Sequence, residues 1–241
     1  MSGDSSLPTL NLVLLGHGKM GKAVESLAPE RGCRVKAVLD EFTNQGGEGI
    51  TRANFEGADV CVDFTTPGAA VENIRRVSAL GCNLVVGTTG WHDRLIEVNR
   101  MVEQAGVGMV YGANFSIAVQ LFYRAAKQLA GLFQGYAAYE PYIVEAHHRF
   151  KKDAPSGTAL ELKRQIEPVM RGREISIDSV RAGYIPGTHE LGFDSEGDSV
   201  ILRHIARSRR GFAEGALFAA RWIAGKKGLY TFAGILGERV G

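Results

Sequence analysis

The sequence predicts an α/β protein in which a doubly wound parallel sheet is followed by a second α+β domain with a mixed sheet. In the first half of the chain, short apolar runs alternate with helical segments, which indicates parallel strands joined by right-handed crossovers. After about residue 112 this rhythm ends, and apolar runs separated by turn residues indicate mostly antiparallel pairing. The length of 241 residues suits one large domain or two modest ones.

Five strands and three helices are predicted in the first half of the chain. The predicted strands are 11–15, 34–39, 59–64, 83–86 and 107–111, and the predicted helices are 20–28, 67–79 and 92–104. Pro67 begins the second helix and Gly81 follows its end, which are the positions that these residue types favour. This succession predicts a sheet that carries helices on both faces.

The second half is predicted to contain three helices and four strands. The predicted helices are 117–132, 156–166 and 212–224, and the predicted strands are 142–146, 174–181, 189–193 and 199–206. Gly197 and Asp198 indicate a turn between the last two strands. We expect the last helix to return to the first domain, because that domain otherwise lacks a closing element. The predicted domains are therefore 1–113 with 212–241, and 114–211.

Composition and charge exclude several classes of function. The formal net charge of +2 argues against a general nucleic-acid or membrane partner, and no apolar run approaches the roughly 18 residues of a membrane span. Cys33, Cys61 and Cys82 are scattered singly, which predicts buried thiols in a reducing compartment and no metal site. The first ten residues lack the basic and apolar regions of a secretory signal, so we expect a cytoplasmic protein.

The first strand runs into the glycine-rich sequence GHGKMG at residues 16–21. Gly16 permits a tight turn, Gly18 allows the backbone to approach a pyrophosphate, and Gly21 allows the helix to pack closely on the strand. Asp40 lies 19 residues after Gly21, at the end of the second strand, where a carboxylate can bind ribose hydroxyls. The pattern predicts a Rossmann-type dinucleotide-binding domain, and the alternative is a glycine-rich turn without a ligand.

Two further features concern the dinucleotide. The carboxylate of Asp40 disfavours a 2′-phosphate and therefore favours NADH, since the next residues, Glu41 and Phe42, offer no arginine, although Lys19 could partly compensate. The sequence GTTG at 87–90 follows the fourth strand, and ligands of such sheets bind beyond the carboxyl ends of the strands. This loop is predicted to contact the nicotinamide half, with a plain strand-to-helix turn as the alternative. Both NADH and NADPH remain open as the cofactor.

The most informative stretch is EAHHRFKKDAPSGTA at residues 145–159. Ser156, Gly157 and Thr158 lie at the start of a predicted helix, where hydroxyl and N–H groups can bind an anion, and Lys151 adds a cation. The two adjacent histidines titrate near neutral pH and can therefore exchange protons. The stretch predicts a site at which an anionic substrate undergoes proton transfer. The alternative is a solvated basic loop with an ordinary helix cap.

The sequence HHRFKKDAPSGTA at 147–159 closely resembles the signature loop of the 4-hydroxy-tetrahydrodipicolinate reductases, also called dihydrodipicolinate reductases. The resemblance extends over nearly the whole chain. The other similar segments are GKMG at 18–21, VDFTTP at 62–67, GTTG at 87–90, ANFS at 113–116, RAGYIPGTHELGF at 181–193 and HIARSRRGFAEGALFAARW at 204–222.

The resemblance implies roles for individual residues. His147 matches the general acid/base of the family, and Lys151 matches its second proton donor. The predicted substrate-binding residues are His148, Ser156, Gly157 and Thr158. The predicted cofactor-binding residues are Gly16, His17, Gly18, Lys19, Met20, Gly21, Asp40, Gly87, Thr88, Thr89, Gly112, Ala113, Asn114 and Phe115.

The resemblance also implies an activity and an assembly. The expected reaction is reduction of a cyclic dicarboxylate, 4-hydroxy-tetrahydrodipicolinate, by NADH or NADPH in lysine and diaminopimelate biosynthesis. The expected fold is a Rossmann domain with a mixed α/β domain that binds substrate and forms a homotetramer. The chain departs from many members by a turn one residue tighter, by Lys19 in place of an arginine, and by a short stretch after Asp40. These departures lie near the adenine end and concern the cofactor preference.

Two other functions compete with this one. The first is another two-domain NAD(P)-dependent dehydrogenase that acts on a different small acid, and the loop at 147–158 argues against it because a carbonyl reductase needs no dicarboxylate site. The second is a non-catalytic NAD(P)-sensing module. Such a module would leave the second domain free to diverge, whereas this chain keeps both histidines and Lys151.

Overall fold

The computed structural model describes residues 8–237, so most of the N-terminal sequence used to predict localisation lies outside the described range. The described residues form two compact units. The first comprises residues up to Ile117 and from Arg209 onward, and the second comprises Ala118–Ser208. The assignment of 1–113 with 212–241 to dinucleotide binding, and of 114–211 to substrate binding and assembly, stays a prediction. No helix in the described range is both long and apolar enough to cross a membrane.

Ten strands and seven α-helices make up the described part of the chain. In chain order they are β1 (Leu10–Leu15), α1 (Lys19–Leu27), β2 (Cys33–Leu39), β3 (Val60–Asp63), α2 (Pro67–Ala79), β4 (Asn83–Val86), α3 (Leu95–Ala105), β5 (Gly108–Tyr111), α4 (Ile117–Phe133), β6 (Glu140–His147), α5 (Gly157–Ile166), β7 (Ser176–Arg181), β8 (Thr188–Asp194), β9 (Ser199–Ile205), α6 (Arg210–Ile223), β10 (Gly228–Thr231) and α7 (Phe232–Gly237).

The first unit is built on a six-stranded sheet in the order β10-β5-β4-β3-β1-β2, in which every pairing is parallel. Successive side chains of a strand point to opposite faces. Leu12 and Leu14 of β1 therefore belong to the apolar core that includes α1 and α6, whereas Val13 and Leu15 belong to the core that includes α2 and α3. Helices thus cover both faces, which confirms the predicted doubly wound sheet.

The sequence interpretation missed the last two elements of this unit. β10 is a four-residue strand at the edge of the sheet that pairs, among the described strands, only with β5, and α7 follows it directly. The sequence does not predict this strand because its apolar pattern is broken by Lys226 and Lys227 just before it and by Gly228 at its first position. The helix predicted at 92–104 was also wrong at its start, because His92–Arg94 forms a 3₁₀ turn before α3.

The second unit contains a four-stranded sheet in the order β7-β6-β8-β9. β6 pairs with β7 in parallel, and the other two pairings are antiparallel, which confirms the predicted mixed sheet. Ile143 and Leu191 on one face pack with Phe122 of α4 and Leu162 of α5. Both helices therefore cover the same face of the sheet.

Candidate active site

The turn between β1 and α1 has the geometry of a phosphate-binding turn. Gly16 has a φ of +88°, and a Cβ there would clash with the carbonyl oxygen of Phe64, so the position requires glycine. A Cβ at Gly21 would likewise clash with the backbone of Gly16. A Cβ at Gly18 would meet nothing within 4 Å. The N–H groups of the first turn of α1 have no intrahelical acceptors, so this open turn can accept a pyrophosphate.

The side chains within this turn differ in their surroundings. Nε2 of His17 lies 2.7 Å from Oε2 of Glu25 in α1, so this side chain is turned along the helix. Lys19 is exposed at the first position of α1, and Met20 behind it is half-buried. Lys19 therefore carries the positive charge of the turn that is accessible to an anion.

Asp40 follows the last residue of β2 and is held by its own turn. Its Oδ1 accepts hydrogen bonds from the N–H groups of Phe42 and Thr43, each at 3.0 Å, and from the Thr43 hydroxyl at 2.9 Å. The bonds from Thr43, followed by that from Phe42, lower the pKa of the carboxyl group. Oδ2 has no hydrogen bond within residues 8–237, so an ionised oxygen is available for ribose hydroxyls.

The loop at 87–90 begins at the carboxyl end of β4, as predicted. Gly87 donates its N–H to the carbonyl oxygen of Asp63 at 2.9 Å. Thr88 is buried and donates its hydroxyl to Oδ1 of Asp63 at 2.8 Å, whereas Thr89 is exposed. The Thr88 hydroxyl is thus engaged within the protein, and Thr89 is the threonine side chain that solvent reaches.

The segment Gly112, Ala113, Asn114 and Phe115 begins at the carboxyl end of β5. Asn114 accepts a hydrogen bond from the N–H of Ser116 at 2.8 Å. Phe115 is buried, so its ring belongs to the core and its backbone is the part that can contact a ligand. Every predicted cofactor residue therefore lies in a segment that follows the carboxyl end of a strand in the first unit, the edge at which ligands of doubly wound sheets bind.

In the second unit, polar side chains form a row across the sheet. The strand register places Glu145 of β6 beside Ser179 of β7 and His189 of β8, and places His189 beside His204 of β9. Glu145 and His189 are buried on the face that α4 and α5 cover. His147 is two residues beyond Glu145 and therefore lies on the same face.

Glu145 is the centre of this row. Its two oxygens accept hydrogen bonds from the guanidinium group of Arg181 at 2.6 and 3.0 Å, and Oε1 also accepts the N–H of Ser156 at 3.2 Å. Oε2 makes a further hydrogen bond with Nδ1 of His147. Burial alone would raise the pKa of Glu145, but the bonds from Arg181, Ser179 and His147 outweigh it and lower the pKa to about 2. Glu145 is therefore ionised at neutral pH.

The ionised carboxylate fixes the orientation of His147. Because Glu145 can only accept, Nδ1 of His147 must donate to it, and Nε2 is left for a reacting group. A Cβ at Gly187 would lie 3.2 Å from this Nε2, so glycine keeps the nitrogen uncovered. Burial lowers the pKa of His147, Glu145 opposes this effect, and the charges of Lys151 and Arg181 add to it. His147 is therefore neutral at neutral pH, with an available lone pair.

The start of α5 has the predicted capped geometry. Ser156 is the N-cap residue, and its Oγ accepts the N–H of Ala159 at 3.2 Å and lies 3.1 Å from Nε2 of His189. The Ser156 hydroxyl is therefore engaged in holding the turn. The N–H groups of Gly157 and Thr158 have no hydrogen-bond acceptor in the described part of the chain, as expected for a first helical turn, and can receive a carboxylate.

The loop before α5 carries the other predicted residues. Nζ of Lys151 lies 2.9 Å from Oδ2 of Asp153, and Arg181 donates to the carbonyl oxygen of Asp153 at 2.6 Å. Nδ1 of His148 is buried without a hydrogen-bond partner among residues 8–237. The structure thus brings His147, His148, Lys151 and the start of α5 together near the end of β6, where the charge of Lys151 acts on His147 and the N–H of Ser156 is bonded to Glu145.

Glu145, His147 and His189 have potential ligand atoms within 4.8 Å of one another, a spacing compatible with a metal ion. Both oxygens of Glu145 are already bonded to Arg181, and the positive charge of this guanidinium group opposes the binding of a metal cation beside it. The arrangement is therefore a hydrogen-bonded acid–base cluster.

Sequence reasoning missed three members of this cluster: Glu145, Arg181 and His189. Glu145 could have been found, because strand alternation places it on the same face as His147. Arg181 and His189 belong to the segment RAGYIPGTHELGF, but their contacts with Glu145 and Ser156 depend on a strand register that no local pattern specifies.

Burial of His189 predicts a pH-dependent loss of stability. Burial lowers its pKa from 6.5 to about 4, and the charge of His147 acts in the same direction. The unfolded chain therefore binds the extra proton first, and the unfolding free energy should fall by roughly 3 kcal/mol as pH falls from 6.5 to 4. Urea unfolding of the wild type and of His189→Gln across this range checks it. If the unfolding free energies of the two proteins fall in parallel as pH is lowered, His189 does not cause the loss of stability.

A parallel dinucleotide-binding sheet and a separate mixed sheet with a histidine–carboxylate–arginine cluster define a two-domain, nicotinamide-dependent oxidoreductase. Family models agree: the N-terminal domain of dihydrodipicolinate reductase matches residues 10–115, and the C-terminal domain matches residues 118–236. The chain belongs to the dihydrodipicolinate reductase family, as its signature loop indicates.

Individual relatives support the same grouping. The chain is 34% identical to a 4-hydroxy-tetrahydrodipicolinate reductase of Christiangramia forsetii, covering 95% of this chain and 98% of that protein. It is 33% identical to the reductase of the same name from Methanosarcina barkeri, covering 95% and 99% of the two chains. A dipicolinate-bound dihydrodipicolinate reductase from Paenisporosarcina sp. TG-14 superposes with a TM-score of 0.74 at 25% identity, covering 92% of this chain and 97% of that one.

Proposed function

We propose that this chain catalyses the NADH- or NADPH-dependent reduction of (2S,4S)-4-hydroxy-2,3,4,5-tetrahydrodipicolinate to tetrahydrodipicolinate, in lysine and diaminopimelate biosynthesis. The observation that carries the proposal is the cluster around His147. Near the end of β6 lie an oriented imidazole, a lysine whose charge acts on it, and the free N–H groups of Gly157 and Thr158, which follow the Ser156 that is bonded to Glu145. This combination suits a substrate that carries carboxylates and undergoes proton transfer.

The first unit would hold the dinucleotide, which when bound supplies the hydride. The turn at 16–21 would receive the pyrophosphate on its N–H groups, and Asp40 would accept the ribose hydroxyls. The loops at 87–89 and 112–115 would contact the nicotinamide half. The open space at Gly18 and the unbonded Oδ2 of Asp40 fit this group.

The second unit would hold the cyclic dicarboxylate. The N–H groups of Gly157 and Thr158 would bind one carboxylate, and Ser156 would hold the turn in place. Nδ1 of His148, which is buried without a partner in the described range, would donate to a second polar group of the substrate. Lys151 adds the positive charge that a dianion requires.

Proton transfer would be the task of His147 and Lys151. The reaction adds a hydride to the ring carbon, releases its hydroxyl group as water and therefore consumes one proton. His147 presents Nε2 with its Nδ1–H fixed on Glu145, so it can accept and return a proton at one defined atom. Lys151 would be the second donor, and Asp153 keeps its ammonium group in the loop.

An absorbance assay separates this function from its two rivals. Oxidation of reduced nicotinamide should be rapid with 4-hydroxy-tetrahydrodipicolinate and negligible with amino-acid semialdehydes or simple 2-oxo acids. A preference for one of those other acids would identify a different two-domain dehydrogenase. Dinucleotide binding without turnover of any of these compounds would identify a sensing module.

The single free carboxylate oxygen of Asp40 predicts the cofactor preference. NADH should work at least as well as NADPH, because a 2′-phosphate would meet this ionised oxygen and no arginine of the adjacent turn compensates. Asp40→Ala should shift the ratio of kcat/KM toward NADPH. The check is kcat/KM for both cofactors. A wild-type preference for NADPH above about tenfold, about 1.4 kcal/mol, would show that Lys19 outweighs Asp40.

We also propose that the second unit forms a homotetramer through the sheet face that no helix of that unit covers. The apolar side chains on this face include Val180, Ile201 and Ile205, which are 44%, 47% and 55% exposed. Exposed apolar groups in one patch mark an interface between proteins. Light scattering should give four times the monomer mass, and Ile201→Glu should reduce it, whereas Leu132→Glu on α4 should not. A monomeric wild type at micromolar concentration would refute the assembly.

We propose a cytoplasmic location for the chain. Cys33, Cys61 and Cys82 are all free and buried in the described structure. Unpaired thiols of this kind are typical of reducing compartments. Fractionation that recovers the protein with secreted material would contradict the proposal.

A further inference from the structure

The segment VDFTTP places a buried carboxylate beneath the proposed dinucleotide site. Asp63 is the last residue of β3 and is fully buried. The register pairs it with Leu15 and Val86, the last residues of the neighbouring strands β1 and β4. Asp63 therefore lies in the middle of the sheet edge from which the turn at 16–21 and the loop at 87–90 begin.

Four hydrogen bonds satisfy this carboxylate. Oδ1 accepts the N–H of Thr65 at 2.9 Å, the Thr65 hydroxyl at 2.7 Å and the Thr88 hydroxyl at 2.8 Å. Oδ2 accepts from Nδ2 of Asn73 at 3.0 Å. All these donors are neutral, and no ion pair of the described residues includes Asp63. Each of these hydrogen-bonding groups is a donor, so the side chain at position 63 must be an acceptor.

The donors come from different parts of the chain. Thr65 follows β3, Thr88 belongs to the loop after β4, and Asn73 lies in α2. Thr65 and Thr88 are also bonded to each other, since the Thr65 N–H lies 2.8 Å from the Thr88 hydroxyl oxygen. Oδ1 of Asn73 accepts in turn from Nδ2 of Asn44 at 3.5 Å, in the loop that follows Asp40. The network around Asp63 therefore connects the loops after β2, β3 and β4.

Packing around the next residue strengthens this connection. The ring of Phe64 fills the space beside Gly87, where a Cβ would clash with it, and the Phe64 carbonyl oxygen occupies the space beside Gly16. Its ring also lies 6.0 Å from that of Phe115, edge to face. The segment that Asp63 holds thus touches the turn after β1 and the loops after β4 and β5.

A buried carboxylate without a cation costs free energy. Apolar side chains of the same size would pack here at lower cost, as they do in the rest of β3. Burial raises the pKa of Asp63, and the hydrogen bonds from Thr65, Thr88 and Asn73 oppose this effect. A fully satisfied polar network fixes one arrangement of the groups that it joins, which an apolar contact does not.

We propose that Asp63 is a positioning residue for the dinucleotide: its carboxylate fixes the loop at 87–90 against the segment 64–66 before the cofactor binds. The proposal rests on the cofactor-binding role proposed above for Gly87, Thr88 and Thr89. Loops that are fixed in advance need not be ordered during binding, so they bind the ligand more tightly. Loss of the network should therefore weaken dinucleotide binding and leave proton transfer in the second unit unaffected.

Asp63→Asn is the first test, because it keeps the shape and removes the charge. Whichever way the new amide turns, its NH2 group faces a donor that bonds to Asp63 in the wild type, either Nδ2 of Asn73 or the N–H of Thr65. The Kd of NADH, measured by its fluorescence, should rise about tenfold or more, as expected when a buried partner is lost. At saturating NADH, the kcat of this variant should differ from that of the wild type by less than about threefold. Asp59→Asn, at the exposed residue just before β3, is the matched control and should bind NADH like the wild type.

A reciprocal exchange distinguishes positioning from a general loss of stability. In the double variant Asp63→Asn, Asn73→Asp, the amide at 63 donates to a carboxylate at 73, and affinity for NADH should recover most of its loss. Thr65→Val is a milder variant that leaves Asp63 in place, and it should raise the Kd by roughly threefold to fivefold, equivalent to the loss of one hydrogen bond.

Four outcomes decide the proposal. Recovery of affinity in the folded double variant supports it, and so does a raised Kd with unchanged kcat in Thr65→Val. Wild-type affinity in a folded Asp63→Asn, whatever its melting temperature, overturns it, because the residue would then be structural only. A folded double variant no better than Asp63→Asn also overturns it. Failure of the wild type itself to bind NADH would instead refute the proposed function.

Discussion

Replacing His147 by glutamine should lower kcat by roughly 10²-fold or more, the usual contribution of a general acid–base group. Glutamine can keep the hydrogen bond to the buried Glu145 but cannot take up or release a proton at neutral pH. Dinucleotide binding should hardly change, because His147 belongs to the second unit and the proposed cofactor residues belong to the first. Steady-state kinetics and NADH fluorescence measure the two effects separately.

Lys151→Ala should have a comparable effect, and its neighbour supplies the control. Lys152 is exposed, carries the same charge and takes no part in the ion pair with Asp153. Lys152→Ala should therefore keep nearly wild-type kcat. If His147→Gln and Lys151→Ala both retain near wild-type kcat, the assignment of proton transfer to these residues is wrong.

Glu145→Gln should lower kcat by an amount on the order of 10²-fold without removing His147. The amide would present a donor where the carboxylate accepts Nδ1–H, so the imidazole would lose its fixed tautomer and orientation. Arg181→Met should instead reduce the unfolding free energy by about 3–5 kcal/mol, because it leaves the buried charge of Glu145 without its cation. Kinetics and urea unfolding of each variant measure these effects.

Combining the two substitutions separates activity from stability. The double variant Glu145→Gln, Arg181→Met contains no unpaired buried charge, so it should regain much of the stability lost in Arg181→Met. Its kcat should still be low, because a neutral amide can accept Nδ1–H but does not stabilise the imidazolium that forms when His147 takes up a proton. Glu161→Gln in α5 removes an exposed ion pair with Arg164 and should change neither quantity. Wild-type kcat in the double variant would show that the negative charge of Glu145 does not support proton transfer at His147.

Much of the fold followed from local pattern. α2 and β4 were predicted with their observed bounds, because Pro67 and Gly81 delimit the helix and the apolar run in β4 is uninterrupted. The glycine positions at 16–21 have the close contacts that the motif requires. β10 was not predicted, because a four-residue strand at a sheet edge is defined by its pairing with β5 rather than by the pattern of its own side chains.

The candidate site was predicted only in part. The loop at 147–158 is continuous in sequence, so its histidines, lysine and helix cap were recognisable together. Arg181 and His189 reach Glu145 and Ser156 only through the pairing of β6 with β7 and β8, which long-range contacts determine. Asp63 lies within VDFTTP, but the sequence predicts no role for it, since its partners Thr88 and Asn73 come from another loop and a helix.

The most direct test of the proposed reaction follows the hydride itself. NADH deuterated at both C4 positions is incubated with the chain and 4-hydroxy-tetrahydrodipicolinate, and the product is examined by mass spectrometry. We expect tetrahydrodipicolinate that has lost the hydroxyl group as water and gained one deuterium in the ring, in equal amount to the NAD⁺ formed. Consumption of NADH without deuterium in the ring, or no consumption at all, would contradict the proposed function.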